Sequence, residues 1–451
     1  MTTFSIENFG CRATEADASA LRQELLARGM MLTPEHGSAD VVLLNTCTVT
    51  AAADSQAREA VRKIHRTNPS ARIIVTGCYA QRAPEELAAI EGVSWVVGNS
   101  HQSEIPGLVL ELAPSRSGSL ITEIGEPNFI SLSQVEDGEM SLARGPAKIL
   151  TGDIFAQTVL EPGTTALPGG DRTRPILKIQ DGCSNRCSYC VIPLVRDRSR
   201  SLPPEFVVEE VGRLVSAGAK EIVLSGINLG SYGRDFDPRE QLTRLVPRIL
   251  AETEVDRLRF SSIEPMDITE DFVTLVASSS RLAPHFHVPL QSGSDRILRA
   301  MRRWYRAAHY AERVLIIRRL MPHAAIGADV IAGFPGESDE DFQTTVVFIK
   351  QLPFTYLHVF SFSPRPGTDA MESDSFVPVQ IIRERARILR ALGQEKAAAF
   401  RASQAPQSLR ALTLHRGGDD WTECLTGNYL KVRVPGRHPA NEWHEVRVLD
   451  D

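Results

Sequence analysis

Cys183, Cys187 and Cys190 stand in a C-x3-C-x2-C pattern inside Gln180-Asp-Gly-Cys-Ser-Asn-Arg-Cys-Ser-Tyr-Cys-Val-Ile-Pro193. Three thiolates in one short loop can bind three irons of a 4Fe–4S cluster. Such clusters usually take four cysteines, so three leave one iron open. An open metal position binds and activates a small molecule, as on a catalytic zinc. Zinc is the first alternative, but it favours C-x2-C pairs with a fourth ligand nearby, and none is nearby here. Three unrelated buried thiols are the second, in a chain with seven cysteines among 451 residues. The apolar run 175–179 before the loop suits a buried strand, and Gly182 and Asn185 mark a turn at its end.

The remaining cysteines acquire meaning from the elements around them. In residues 1–105, strand patterns at 4–9, 40–44, 72–76 and 94–97 alternate with helical patterns at 14–29, 51–67 and from Pro84. Thr14 is the expected N-cap of the first helix. A β-α-β-α-β unit predicts a parallel sheet with short connections. Cys11, Cys47 and Cys78 each lie just past the carboxyl end of one strand. Parallel neighbours gather those ends on one edge, where α/β folds place their sites. A second three-thiolate site follows; the plain alternative is three separate buried cysteines.

Residues 106–172 carry little regular pattern and include Pro-Ser-Arg-Ser-Gly-Ser (114–119) and a Pro/Gly-rich run at 161–170. They are expected to be a linker with a few short elements. Over 173–403, strand candidates at 175–180, 220–225, 257–263, 284–290, 325–332 and 356–361 alternate with helices. Six β-α repeats predict an open, partial TIM-type barrel with its chemistry at the strands' carboxyl ends. Ser225-Gly-Ile-Asn-Leu-Gly, Arg259-Phe-Ser-Ser-Ile-Glu-Pro, His287-Val-Pro-Leu-Gln-Ser-Gly-Ser and Gly327-Ala-Asp-Val-Ile-Ala-Gly-Phe-Pro-Gly-Glu fall at those ends. Singly each is an ordinary Gly turn; together they suit a cofactor cradle. Residues 376–403 read as a helix, and 404–451 alternate polar and apolar as a small β-barrel does.

Two arginine groups stand out. Arg196, Arg198 and Arg200 follow the cysteine loop, and Arg296, Arg299, Arg302, Arg303 and Arg306 are expected on one helix with Trp304 and Tyr305. Such a helix face could hold phosphates while the aromatics stack on bases. A solvated face with ion pairs is the alternative.

The C-x3-C-x2-C loop after a first strand, with Tyr189 before the last cysteine, resembles the radical S-adenosylmethionine enzymes. Asn8-Phe-Gly-Cys11, Leu44-Asn-Thr-Cys-Thr-Val-Thr50 and Val75-Thr-Gly-Cys-Tyr-Ala-Gln81 narrow the resemblance to the methylthiotransferases, with Thr14 standing where that family usually has asparagine. Asn428-Tyr-Leu-Lys-Val resembles a short TRAM domain, an RNA-binding module. Asn45-Thr-Cys-Thr-Val-Thr, Lys178-Ile-Gln-Asp-Gly-Cys and Ser261-Ser-Ile-Glu-Pro most resemble the branch acting on N6-threonylcarbamoyladenosine next to the tRNA anticodon. The other branches act on isopentenyladenosine in tRNA and on a ribosomal-protein aspartate.

The resemblance implies an α/β chain in three parts: an N-terminal parallel-sheet domain (1–105), a partial (β/α)6 radical barrel (173–403) after the linker 106–172, and a TRAM-like β-barrel (404–451). It implies two 4Fe–4S clusters, one on Cys183, Cys187 and Cys190 and one on Cys11, Cys47 and Cys78. Gly226, Asn228, Ser262, Glu264, Gln291 and Ser292 would surround S-adenosylmethionine. The first cluster would cleave that cofactor to a 5′-deoxyadenosyl radical that attacks the adenine C2–H bond, chemistry no side chain performs. The second would carry the sulfur that is methylated and inserted. The implied partners are a tRNA anticodon stem-loop and an electron donor such as flavodoxin, and a monomer is expected. A two-cluster electron carrier is the competing reading from another class.

Composition bounds these readings without selecting among them. A 42% hydrophobic share supports ordinary globular cores, and the net charge of −6 neither announces nor excludes an RNA-binding face. From Ala405 onward six basic residues face seven acidic ones, so the tail's RNA role rests on resemblance. An odd cysteine count argues against a disulfide framework, and Cys424 reads as a free structural thiol. The expected location is the cytoplasm, with no signal peptide and no membrane span.

Overall fold

A computed structural model describes residues 2–112, 147–156, 160, 173–405 and 407–448. Most of the expected linker, including 114–119 and 161–170, lies outside the described residues.

The N-terminal sheet has six parallel strands in the spatial order Met31–Leu32, Thr3–Asn8, Val41–Thr46, Arg72–Gly77, Val93–Gly98 and Lys148–Leu150. Val41 to Thr46 are all buried, as a central parallel strand covered on both faces requires. The last strand comes from the stretch expected to be linker, and it pairs with Trp95–Val97. The first helix is Arg12–Ala27, so Cys11 and not Thr14 occupies its N-cap. Thr14 lies in the first turn, and its hydroxyl donates to the Cys11 carbonyl at 2.8 Å. The second helix, Ala51–Thr67, is capped by Thr50, whose side chain accepts from the Ala53 N–H.

Six parallel strands follow in an open arc: Ile176–Asp181, Glu221–Gly226, Arg257–Phe260, His285–His287, Ala325–Ala332 and Tyr356–Ser361. Pairing carries the arc through four of its steps, and the bridges Leu258↔Leu282 and Ser262↔His287 join its halves. The fourth strand is shorter than the expected 284–290, because Pro289 cannot donate to a ladder. The barrel core of Leu, Ile, Val and Phe lies between the strands and the outer helices. The long helix Val379–Gln404 begins after Pro378, three residues later than expected from the pattern. No helix among the described residues is long and apolar enough to cross a membrane.

The C-terminal unit is a curled antiparallel sheet in the order Lys431–Pro435, Trp421–Thr426, Ser408–Gly417, Trp443–Arg447. Cys424 sits in its core, fully buried and unpaired with another cysteine. The unit closes one end of the barrel. Buried Arg259 donates to the Gly427 and Thr426 carbonyls at 2.9 and 3.1 Å, and Asn428 Nδ2 donates to the His323 carbonyl at 3.2 Å. The ring of Tyr429 stacks on His285 of a barrel strand at 4.3 Å.

Candidate cluster and substrate site

Register brings the first three cysteines together. Asn8 pairs with Asn45, Asn45 with Thr76, and Thr46 with Gly77, so all three strands end at one level. Cys11, Cys47 and Cys78 therefore leave the sheet on a single edge. Two glycines make the approach possible. Gly10 adopts φ +135°, and a Cβ there would lie 2.5 Å from Cys47 Cβ and 3.1 Å from its sulfur. Gly77 adopts φ +98°, and a Cβ there would meet the Thr46 carbonyl oxygen at 2.3 Å. Burial, with Cys78 and Cys11 adding, pushes the Cys47 thiol up to about 12. Three crowded thiols that repel one another's charge fit a polynuclear cation better than three free thiolates.

The second set lies where the first barrel strand ends. Cys183, Cys187 and Cys190 are partly exposed along the loop 182–190. Burial pushes Cys183 up to about 11 and Cys190 up to about 12. Cys187 Sγ accepts from Arg303 Nη1 at 3.4 Å, and Cys183 Sγ lies 3.9 Å from Asn228 Nδ2. Arg303 also pairs with Glu264, whose carboxyl burial raises although Arg303 opposes it. Asn228 Oδ1 is buried without a partner, an acceptor facing this loop that a ligand donor would complete. Three thiols, an orphaned amide oxygen and a carboxylate–arginine pair suit a cluster with a charged cofactor beside it.

The six expected cofactor positions separate here. Asn228 and Glu264 converge on the cysteine loop. Gly226 is a packing requirement: a Cβ there would lie 2.6 Å from Gln180 Oε1, which accepts the Asn228 N–H at 2.8 Å. Gln291 holds φ +66° between the Asp329 carbonyl and the Ile331 N–H. Ser262 is half-buried at the strand end, bridged to His287. Ser292 is fully buried, and its hydroxyl is engaged with Thr345 Oγ1 and the Ser294 N–H at 3.2 Å each. Its side chain braces the loop from behind.

Residues 191–196 join the two sites. Val191 and Val195 pack against Cys78, and Asn99 Nδ2 donates to the Val195 carbonyl at 2.8 Å. Arg196 is 2% exposed and links both halves of the molecule. Its Nη1 reaches both Asp181 oxygens at 3.0 and 2.8 Å, its Nη2 reaches Asp17 at 2.6 Å, and its Nε points at Cys78 Sγ at 3.2 Å. Lys178 closes the lattice by pairing with Asp17 and with Asp181. A second tie joins Asp54 of the N-terminal domain to Arg365 of the barrel at 2.8 Å and to Arg82 at 3.0 Å.

The arginine-rich stretch after Asp295 does not form one helix. The helix Asp295–Ala300 ends at Met301, because Arg302 takes φ +55°, which a continuing helix cannot contain. Arg302, Arg303 and Arg306 lie in the turn before the helix Ala307–Leu320. Tyr305 points inward, donating to the Leu290 carbonyl at 2.8 Å, whereas Trp304 is 73% exposed. With Arg186, Arg299, Arg302, Arg303 and Arg306 these aromatics line a cleft of about 450 Å³ next to the cysteine loop. Of the other group, Arg196 and Arg200 are buried and only Arg198 is exposed.

Comparison with known proteins agrees with this architecture. Residues 3–98 match the family described as "Uncharacterized protein family UPF0004", and residues 177–349 match the radical SAM superfamily. The chain is 35% identical over 445 residues to the threonylcarbamoyladenosine tRNA methylthiotransferase MtaB of Aquifex aeolicus, covering 99% of each chain. It is 33% identical to the protein of that name from Bacillus subtilis, covering 100% of this chain and 98% of the relative. A tRNA-2-methylthio-N(6)-dimethylallyladenosine synthase from Syntrophus aciditrophicus is 32% identical over 86% of this chain and 79% of its own. Among solved structures, the radical S-adenosylmethionine methyltransferase TsrM from Kitasatospora setae superposes with TM-score 0.55 at 16% identity, over 82% of this chain and 77% of that one. That likeness speaks to the fold.

Proposed function

The chain belongs to the threonylcarbamoyladenosine tRNA methylthiotransferases of the radical S-adenosylmethionine superfamily, and on that premise we propose how its residues divide the reaction. The activity is methylthiolation at C2 of N6-threonylcarbamoyladenosine beside the anticodon. Cys183, Cys187 and Cys190 hold one 4Fe–4S cluster, and Cys11, Cys47 and Cys78 hold the other. When bound, these groups and S-adenosylmethionine supply the one-electron chemistry that opens the inert C2–H bond, and the sulfur and methyl placed there.

The residues of the chain do the rest. Asn228 and Glu264 orient the cofactor beside the loop 182–190, with Arg303 holding Glu264. The apolar contact of Cys78 with Val191 and Val195 fixes the distance between the two sites. Arg186, Arg299 and Arg306 bind backbone phosphates, and exposed Trp304 offers a stacking face to an unpaired base. The tail residues Asn428 and Tyr429 are spent on docking the C-terminal unit, so its RNA contacts must come from other side chains. A flavodoxin-type donor delivers the electron, and the enzyme works as a monomer in the cytoplasm.

The observation that carries this reading is the pair of three-cysteine sites joined by residues 191–196. Nucleoside mass spectrometry of tRNA from a strain lacking the chain, and from the same strain complemented, tests it. Loss and return of 2-methylthio-N6-threonylcarbamoyladenosine is expected. Unchanged levels would remove the substrate assignment, and loss of the isopentenyl derivative instead would move the chain to the other branch.

A further inference from the structure

The inner wall of the barrel carries an unusual amount of unfinished polar chemistry. His285, His287, Asp329, Tyr356 and His358 lie on three neighbouring strands and form one network. Asp329 Oδ1 accepts from His287 Nε2 at 2.9 Å, and His358 Nδ1 lies 3.3 Å from the same oxygen. His287 Nδ1 contacts the Tyr356 hydroxyl at 3.0 Å, and that hydroxyl contacts His285 Nε2 at 2.8 Å. A neutral His287 that donates to Asp329 accepts from Tyr356 at Nδ1, and the Tyr356 oxygen then accepts from His285 Nε2–H. Burial, with Arg259 and Arg12 adding, holds His285 well below 6.5, so its ring is neutral. Its Nδ1 is then a bare acceptor. That atom is buried without a partner, in a residue 1% exposed. Two more buried hydroxyls without partners are Ser225 on the second barrel strand and Ser261 just past the end of the third.

Arg12 faces this network from the N-terminal domain. It is the residue after Cys11, half-buried, and its Nη2 reaches the Tyr429 hydroxyl at 3.5 Å. Tyr429 stacks on His285 at 4.3 Å. Arg174, Arg257 and Arg259 nearby all share Glu221, whereas Arg12 has no carboxylate partner among the described residues. A guanidinium in such a place is complete only when an anion arrives.

We propose that Arg12 and His285 form the subsite for the N6 substituent of the substrate base, Arg12 binding its carboxylate and His285 Nδ1 accepting a hydrogen bond from its hydroxyl or carbamoyl N–H. The inference rests on the tRNA reading above and adds the basis of its selectivity. C2 and C6 of adenine flank the same ring nitrogen. The N6 group of a base whose C2 meets the cluster on Cys11 therefore lies close by, and Arg12 is the next residue in the chain. A threonylcarbamoyl group offers an anion, a hydroxyl and N–H donors. An isopentenyl group offers none, and would leave Arg12 and His285 Nδ1 unsatisfied in a desolvated site. Rejecting an analogue by stranding polar groups is the strongest discrimination a binding site achieves.

The test uses anticodon stem-loop RNAs carrying threonylcarbamoyladenosine, its methyl ester, or isopentenyladenosine. With the reconstituted wild type, kcat/KM is expected to fall ~10- to 100-fold from acid to ester, as loss of a charged hydrogen bond predicts. Arg12→Gln is expected to lower the acid to the level of the ester and leave the ester unchanged. Iron content, and 5′-deoxyadenosine release without RNA, should match wild type. Equal rates for acid and ester in the wild type overturn the subsite. So does an equal loss on both RNAs in Arg12→Gln, which would assign Arg12 to phosphate or cluster. If Arg12→Gln loses iron, the wild-type comparison of acid with ester decides alone. Failure of the wild type on every RNA would refute the tRNA reading itself, a separate result.

Discussion

Removing Arg196 is the sharpest test of how the two cysteine sites are held together. The side chain is 2% exposed and makes three hydrogen bonds to two carboxylates, at 2.6, 2.8 and 3.0 Å. Arg196→Ala leaves Asp17 and Asp181 buried with Lys178 as their shared cation. Stranding a buried charge in this way costs ~3–5 kcal/mol. Arg319, 60% exposed in its side chain and paired with the similarly exposed Glu270, is the control, and its loss should cost at most ~0.5 kcal/mol. The pH dependence identifies the cause. Burial alone would raise the Asp181 carboxyl, but Arg196 and Lys178 outweigh it and hold it well below its ordinary 3.8. A carboxyl depressed by folding contributes its stability above the unfolded value and loses it as the pH falls through the folded one. The penalty of Arg196→Ala should therefore be full near neutral pH and narrow as the pH drops below about 4. Urea unfolding of the cluster-free chain, followed at several pH values, measures it. A penalty no larger than that of Arg319→Ala, or one equal at every pH, would refute the lattice as the tie between the domains.

Other outcomes follow from the same geometry. Cys78→Ser should lower bound iron from about eight to about four per chain and abolish methylthiolation while 5′-deoxyadenosine release persists; Cys187→Ser should abolish both. Gly77→Ala forces a side chain into φ +98° and against the Thr46 carbonyl, and should destabilise the N-terminal domain by at least ~2 kcal/mol in a denaturant melt. In the cluster-free chain near pH ~8, iodoacetamide should label exposed Cys11 well before Cys47, whose buried thiol is pushed up to about 12, as read by peptide mass spectrometry. Trp304→Ala should weaken stem-loop binding by ~1–3 kcal/mol in a filter or fluorescence assay, without changing iron content.

What the sequence made legible was whatever repeats. Strands ending in cysteine recur with regular spacing, so the edge that gathers Cys11, Cys47 and Cys78 could be placed from pattern alone. The barrel strands were readable for the same reason, within one residue at their starts and within three at their ends. Single-residue backbone events were not. Arg302 in a left-handed conformation looks like any other arginine in a helical pattern, and it breaks the expected arginine helix. Thr14 has the right chemistry for an N-cap, but the sharp turn at Gly10 starts the helix earlier, at Arg12. Ser292 lies in a motif at a strand end, and no periodicity shows that its hydroxyl turns back toward Thr345. The lattice of Asp17, Lys178, Asp181 and Arg196 spans 179 positions of sequence, and an isolated charged residue carries no sign of so distant a partner. Arg12 was hidden in the same way, since its surroundings come from three different parts of the chain.

The second tie, from Asp54 to Arg82 and Arg365, has a meaning of its own when set beside the first. Both of these connections between the halves are ion pairs between side chains. No cysteine takes part in those ion pairs. The halves are therefore expected to stay in register in the cluster-free chain, which a hydrogen-exchange comparison of the filled and cluster-free protein would show as unchanged protection at Asp17, Asp54 and Arg196.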